Sequence, residues 1–195
     1  MILGILQLTH NATTLLFGVY LSAAFLGIVM KRSNILRLFG FSCATGLLYL
    51  GAFLFLGEAM TRELYPLIVH LPLILLLVLY YKYRPLVAAI SVLTAYLCCQ
   101  ISNWVGIAFL TLTHEQWCYY AIRIVVTVTV FLFLLLHVSD ATARLLEKST
   151  ESLAILGIIP YVYYIFDYAT NVYTYLLYSG SNIVVEFLGF VLCTT

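Results

Sequence analysis

The side chains that could do chemistry in this sequence are a few ionisable and amide groups within long apolar segments. Between residues 153 and 178, polar and aromatic residues recur at steps of three or four: Pro160, Tyr164, Asp167, Asn171, Tyr175 and Tyr178. Tyr96, Gln100 and Asn103 repeat this spacing in an earlier segment. Such steps place residues on one face of an α-helix. Each face could contact a polar ligand or an ion, or hydrogen-bond a neighbouring helix.

Three further ionisable side chains lie within apolar segments: His70, Arg123 and Glu186. An ionisable group inside a membrane is costly, so it usually faces protein or water and often pairs with an opposite charge. The sequence therefore predicts a charge pair between Arg123 and Asp167. His70 lies two residues before Pro72, where it could bond a carbonyl freed by the proline, sense pH or contact a ligand.

Composition indicates a membrane protein, since 64% of the 195 residues are hydrophobic and 9% are charged. A helix needs about 20 apolar residues to cross a bilayer core. This length predicts spans at about 5–30, 34–57, 64–82, 86–111, 118–138, 153–178 and 182–195. We therefore expect one domain, 1–195, that is an all-α polytopic membrane helical bundle of six full transmembrane helices and a truncated seventh.

Basic residues are concentrated in alternate connections between these spans. Seven of the nine Lys and Arg lie in the first, third and fifth: Lys31, Arg32, Arg37, Lys82, Arg84, Arg144 and Lys148. Connections rich in Lys and Arg stay in the cytoplasm, so the N-terminus is expected outside. Aromatic residues predicted to anchor the outer interface are Trp104, Trp117, Tyr119 and Tyr120. The inner half is almost wholly apolar, which argues against a through-pore.

Convergence of the polar groups in the outer half predicts one cleft open to the outside. The candidate ligand-binding residues are His70, Gln100, Asn103, Arg123, Tyr164, Asp167, Asn171, Tyr175 and Glu186. Polar groups on separate helices avoid lipid together only if they meet in one cavity. A cleft of mixed polarity suits an extracellular peptide or a small amphipathic molecule better than a bare ion.

The sequence predicts no catalytic residues, no metal ligands and no cofactor. His114 and Glu115 begin like the HExxH motif of zinc proteases, but the second His is missing. The five cysteines have no CxxC spacing, and none is followed by a His three or four residues later. A net charge of +1 gives no basis for nucleic-acid binding.

Four stretches carry a resemblance to a known family. They are HLPLILLL at 70–77, SVLTAYLCCQISNW at 91–104, PYVYYIFDYATNVY at 160–173 and EFL at 186–188. Over residues 60–195 the chain resembles the membrane sensor part of Gram-positive bacterial sensor histidine kinases with a GHKL-type ATPase, which are similar in plan to Agr-type peptide receptors. In that family, six or seven spans precede a cytoplasmic dimerisation helix and an ATP-binding domain.

The resemblance implies a multi-pass module of the bacterial plasma membrane that acts as a homodimer and relays a signal to a cytoplasmic kinase. None of the four histidines lies in a cytoplasmic helix suited to phosphorylation, and no kinase domain lies within 1–195. Two other functions stay open. One is a small transporter or permease-like subunit in which Asp167, Glu186 and Arg123 handle an ion, and the other is a membrane scaffold without a ligand.

Overall fold

The computed structural model describes residues 2–147 and 150–169, which are all-helical with no strand among them. The helices are α1 (Ile2–Phe25), α2 (Arg32–Glu63), α3 (Pro66–Tyr80), α4 (Pro85–Thr113), α5 (Gln116–His137), α6 (Ser139–Leu146) and α7 (Thr150–Asp167). Within these ranges, four helices are long and apolar enough to cross a membrane: α1, α2 as far as Gly57, α4 and α5. Helix α3 is apolar but shorter.

The helices follow the order of the predicted spans, but the six full spans are not confirmed: four helices of the described residues qualify, and the span predicted at 64–82 is the shorter α3. Two further differences concern α1 and the fifth connection. The first span was expected to reach residue 30, whereas α1 ends at Phe25, because Gly27 adopts a φ of 70° that forms a turn. The fifth connection, between the spans predicted at 118–138 and 153–178, contains α6. The seventh predicted span and the later part of the sixth lie outside the described residues.

Helix α3 is widened at both of its ends. Pro66–His70 and Leu76–Tyr80 are π-helical, and Leu71–Leu75 between them is α-helical. The backbone N–H of Leu71 reaches the carbonyl of Pro66, five residues back. The adjoining Pro72 has no N–H with which to continue an ordinary α-turn. π-Turns are rare and often lie at functional sites. The first π-turn of α3 contains His70, which makes this histidine a candidate functional residue.

Helix α4 packs against α1, α5 and α7. Two glycines allow the closest approaches. A Cβ atom on Gly157 of α7 would lie 2.8 Å from the side chain of Ile90, and one on Gly106 would lie 2.5 Å from Cγ of Arg123. Both distances are too short for real carbon atoms, so glycine is required where α7 and the Arg123 side chain cross α4.

The cationic connections meet at one end of the bundle. The Tyr83 hydroxyl donates to the Leu26 carbonyl at 2.7 Å, and a Cβ atom on Gly27 would contact Ala143 of α6 at 3.5 Å. Burial and the Glu147 carboxylate raise the pKa of Tyr83, which keeps it a neutral donor. The first, third and fifth connections therefore share one end, as the charge pattern predicts. Which side of a membrane this end faces stays a prediction.

A core of apolar side chains extends from this cationic end. Its buried members include Phe25, Leu38, Leu77, Val87, Leu134, Leu146 and Leu153. They come from all seven helices. Hydroxyls such as those of Ser22 and Ser91 are buried near this end as well, so the division into an apolar inner half and a polar outer half stays a prediction.

Candidate functional site

Polar side chains in the other half of the bundle form two clusters. The tyrosine–histidine cluster is where α3, α4 and α7 meet and consists of Tyr65, His70, Tyr96, Tyr164, Asp167 and Tyr168. The arginine cluster joins α4 to α5 and consists of Asn103, Gly106, Tyr119 and Arg123, with the buried Thr127 one turn further along α5. Both clusters include α4, but the first joins it to α3 and α7 and the second joins it to α5.

His70 lies at the centre of the first cluster, enclosed by tyrosine rings. Its ring centroid is 5.1 Å from that of Tyr65, 5.2 Å from that of Tyr96 and 5.4 Å from that of Tyr164, all in edge-on geometry. This geometry directs the positive edge of one ring at the negative face of the next. The Nδ1 atom of His70 lies 2.9 Å from the Tyr164 hydroxyl. A phenol can donate or accept here, so this bond suits either imidazole tautomer.

Asp167 is the charged member of the same cluster. Its side chain is buried, with 7% exposed, and its Oδ2 atom accepts a hydrogen bond from the Tyr96 hydroxyl. A buried carboxylate requires donors because it has lost its water. The ring of Tyr168 packs on that of Tyr164 at 4.7 Å. Helix α7 is therefore bound to α3 through Tyr164 and to α4 through Asp167.

Local helix geometry explains how α7 presents these groups. Residues at successive steps of three or four are buried along it: Leu153, Gly157, Pro160, Tyr163 and Asp167. This face includes Pro160 and Asp167, and Tyr164 beside them is half-buried. The spacing noted in the sequence thus matches the face that packs into the bundle.

Arg123 is the centre of the second cluster. Its guanidinium carbon lies 4.9 Å from the ring centre of Tyr119, one turn earlier on α5, and its Nη1 donates to the Tyr119 hydroxyl. That hydroxyl in turn donates to Oδ1 of Asn103 on α4 at 3.2 Å. The aliphatic part of Arg123 crosses α4 at Gly106. The positive charge is thus held by a cation–π contact and a phenol oxygen.

The structure divides the predicted binding residues instead of joining them in one cleft. His70, Tyr164 and Asp167 belong to the tyrosine–histidine cluster, whereas Asn103 and Arg123 belong to the arginine cluster. Gln100 is half-buried on α4 between them. Asn171, Tyr175 and Glu186 lie outside the described residues, so their part in a site stays a prediction.

The described contacts do not include the expected charge pair between Arg123 and Asp167. Each binds a different tyrosine, Tyr119 or Tyr96. The α4 positions that they contact, Tyr96 and Gly106, are about 15 Å apart along the helix at 1.5 Å per residue. Two phenols therefore take the place of the ion pair.

Several members of the clusters were not predicted as site residues. Tyr119 was assigned to the membrane interface, and Tyr65, Gly106, Thr127 and Tyr168 were not singled out. The spacing of four between Tyr119 and Arg123 is a signal that could have identified that contact. Nothing in the sequence distinguishes Tyr65, because many tyrosines occur at similar positions.

Comparisons with family models, curated proteins and solved structures returned no match. No group of three or more metal-ligating side chains occurs within the described ranges. The two clusters are therefore the features from which a function can be inferred.

Proposed function

We propose that this chain is the membrane-embedded sensing module of a bacterial sensor histidine kinase, and that α7 relays the signal. The observation that carries the proposal is the double attachment of α7, through Tyr164 to His70 and through Asp167 to Tyr96. These residues fall within three of the stretches that resemble the kinase family, at 70–77, 91–104 and 160–173. The resemblance and the cluster thus concern the same residues.

A ligand would act by competing for these two contacts. Hydrogen bonds between membrane helices contribute about 0.6 kcal/mol on average. The neutral His70–Tyr164 bond is of this kind, but a bond to a carboxylate such as Asp167 contributes about 1.5–3 kcal/mol. Together they favour one position of α7 by about 2–4 kcal/mol, or roughly 30- to 500-fold in population. This is small enough for a bound molecule to reverse. The ligand must bind the two positions with different affinity, because otherwise no signal results.

The proposed orientation brings such a ligand within reach. If the cationic connections lie in the cytoplasm, both clusters lie towards the outer half of the bilayer. An extracellular peptide or a small amphipathic molecule could enter there from water or lipid. The mixture of phenol, imidazole and carboxylate suits a ligand with both polar and apolar parts.

A transporter requires a polar path from one side of the bundle to the other. Most buried side chains of the cationic half are apolar, among them Phe25, Leu77 and Leu134, and buried hydroxyls there such as that of Ser91 donate to backbone carbonyls. A sensor needs polar groups only where the ligand binds, so the distribution of the described side chains favours sensing over transport.

Autophosphorylation of the full gene product in membranes tests this function. Tyr164→Phe combined with Asp167→Asn should change the rate of phosphate incorporation from ATP, because both attachments of α7 are removed. The control is Tyr161→Phe, a tyrosine of the same helix that is 55% exposed. A product that incorporates no phosphate, or a rate equal in both variants, would refute the kinase assignment.

A further inference from the structure

The Arg123 guanidinium has a donor that the described chain does not use. Its Nη1 group donates to Tyr119, but its Nε atom is buried and has no hydrogen-bond partner among the described residues. A buried donor without an acceptor is unfavourable because it has lost its water. Such groups are rare in folded proteins and call for an explanation such as an unseen ion, ligand or water.

Thr127 presents a second unused donor one turn further along α5. Hydroxyls in these helices commonly donate to the carbonyl four residues earlier, as Thr129 does to Val125 at 2.9 Å and Thr94 to Ile90 at 2.7 Å. The Thr127 side chain is 2% exposed, and its hydroxyl has no partner among the described residues. Thr127 thus departs from the usual bond at a buried position.

The two donors lie on the same face of α5. A spacing of four residues places Arg123 and Thr127 next to each other, about 6 Å apart at their Cβ atoms. The Arg123 side chain crosses α4 at Gly106. Tyr119 donates to Asn103 and accepts from Nη1 of Arg123, whereas the buried Nε makes no described hydrogen bond.

The positive charge of Arg123 determines which kind of group would bind to its Nε atom. The described contacts of Arg123 are to a neutral phenol and an aromatic ring. A water molecule could accept hydrogen bonds there but would not neutralise the cation. An oxyanion does both, and the Nε side of a guanidinium suits the paired oxygens of a carboxylate or phosphate.

We propose that Arg123 and Thr127 bind an oxyanion group, a carboxylate or a phosphate, between α5 and α4. This site is separate from the tyrosine–histidine cluster, and its occupancy does not depend on the proposed sensing function. The group could belong to a lipid headgroup or to a water-soluble anion. Both sources offer the same oxygens to the same two donors.

Thermal unfolding of the full chain tests the proposal, with the two sources in separate arms. In detergent, inorganic phosphate and acetate are titrated against chloride at constant ionic strength. In nanodiscs, phosphatidylglycerol is titrated into phosphatidylcholine. We expect a saturable rise in Tm in at least one arm. A rise with soluble anions identifies a free anion as the ligand, and a rise with phosphatidylglycerol alone identifies a lipid headgroup.

Variants of Arg123 and Thr127 test whether these two donors cause the rise in Tm. Arg123→Gln should weaken the apparent affinity about tenfold or more, and Thr127→Val about three- to tenfold. Arg37→Gln removes one positive charge at an exposed position and serves as the matched control. Thr127→Val keeps the shape of the side chain, so the test holds even if Arg123→Gln does not fold. No saturable rise, or an equal rise in Thr127→Val and wild type, would overturn the site.

Discussion

Asp167 and Arg123 carry opposite charges in the same bundle, but their surroundings differ. Asp167 accepts from Tyr96 and lies among tyrosine rings contributed by α3, α4 and α7. Arg123 contacts Tyr119 on its own helix and crosses α4 at Gly106, and it keeps a buried Nε without a described partner. A charge whose hydrogen bonds connect several helices holds those helices in place. At the charge with the unused donor, we propose that a group from outside the protein binds.

This difference assigns separate roles to the clusters. We propose that the tyrosine–histidine cluster sets the position of α7 and that the arginine cluster binds an oxyanion beside α5. Substitutions in the first should therefore change stability and the position of α7. Substitutions in the second should alter anion dependence with a smaller effect on α7.

The largest effect is expected for Tyr96→Phe. It removes the described donor to the buried Asp167 carboxylate, and hydrogen bonds to charged groups contribute about 1.5–3 kcal/mol. The free energy of unfolding, measured by chemical denaturation in detergent, should fall by that amount. Tyr161→Phe is the control. In a double-mutant cycle with Asp167→Asn, the combined loss should be smaller than the sum of the single losses. Additive losses would show that the two side chains are not coupled.

The next largest loss in the free energy of unfolding, about 2 kcal/mol, is expected for Gly106→Ala. The added methyl group would lie 2.5 Å from Cγ of Arg123 and 3.1 Å from the Tyr119 ring, so it forces the arginine side chain to move. Gly51→Ala is a matched control, because nothing lies within 4 Å of the added atom there. That control should be neutral or stabilising by up to about 1 kcal/mol, since alanine favours helix. Equal results for both variants would show that Arg123 does not cross α4 at Gly106.

A smaller loss, about 1 kcal/mol, is expected for Tyr164→Phe. It removes the hydroxyl that meets His70 Nδ1 and keeps the ring contacts with Tyr96 and Tyr168. Nitrogen NMR of the imidazole should show a change at Nδ1 as the bond is lost. An unchanged Nδ1 resonance would place the hydroxyl elsewhere.

The smallest effect, within about 0.5 kcal/mol, is expected for Thr127→Val without added anions. Its hydroxyl makes no described hydrogen bond, so a methyl group of the same size replaces it with little loss. Chemical denaturation in chloride buffer measures this. A loss above about 1 kcal/mol would mean that the hydroxyl has a partner within the protein.

Hydropathy was sufficient to predict an all-helical chain and the order of its apolar helices, of which four in the described part of the chain are long enough to cross a membrane instead of the six expected. It failed at the end of α1, where the apolar run continues through Leu26 and Ile28 although Gly27 has already turned the chain. It also missed α6, whose amphipathic eight residues are too short and too polar to resemble a span.

Prediction of the site was limited because the sequence does not show how each helix is rotated about its axis relative to its neighbours. On α7, polar residues at helical spacing identified the correct face, since Asp167 is buried there. On α4, Tyr96 and Asn103 share a face, yet they contact different helices at different depths. Periodicity gives the direction of a side chain around its own helix but not the neighbour opposite it. The phenol partner of Asp167, on another helix, therefore required the structure, whereas the spacing of four between Tyr119 and Arg123 could have identified the partner of Arg123.

The central claim, that Tyr164 and Asp167 hold α7 in place, is most directly tested by measuring the distance from α7 to α5. Spin labels at Ile158 and Val125, which are 55% and 59% exposed, report this distance by double electron–electron resonance in nanodiscs. Tyr164→Phe with Asp167→Asn should shift or broaden the distribution by about 2 Å or more, a typical displacement for a signalling helix. Tyr161→Phe should leave it unchanged. A distribution identical in all three proteins would contradict the account and favour a rigid scaffold.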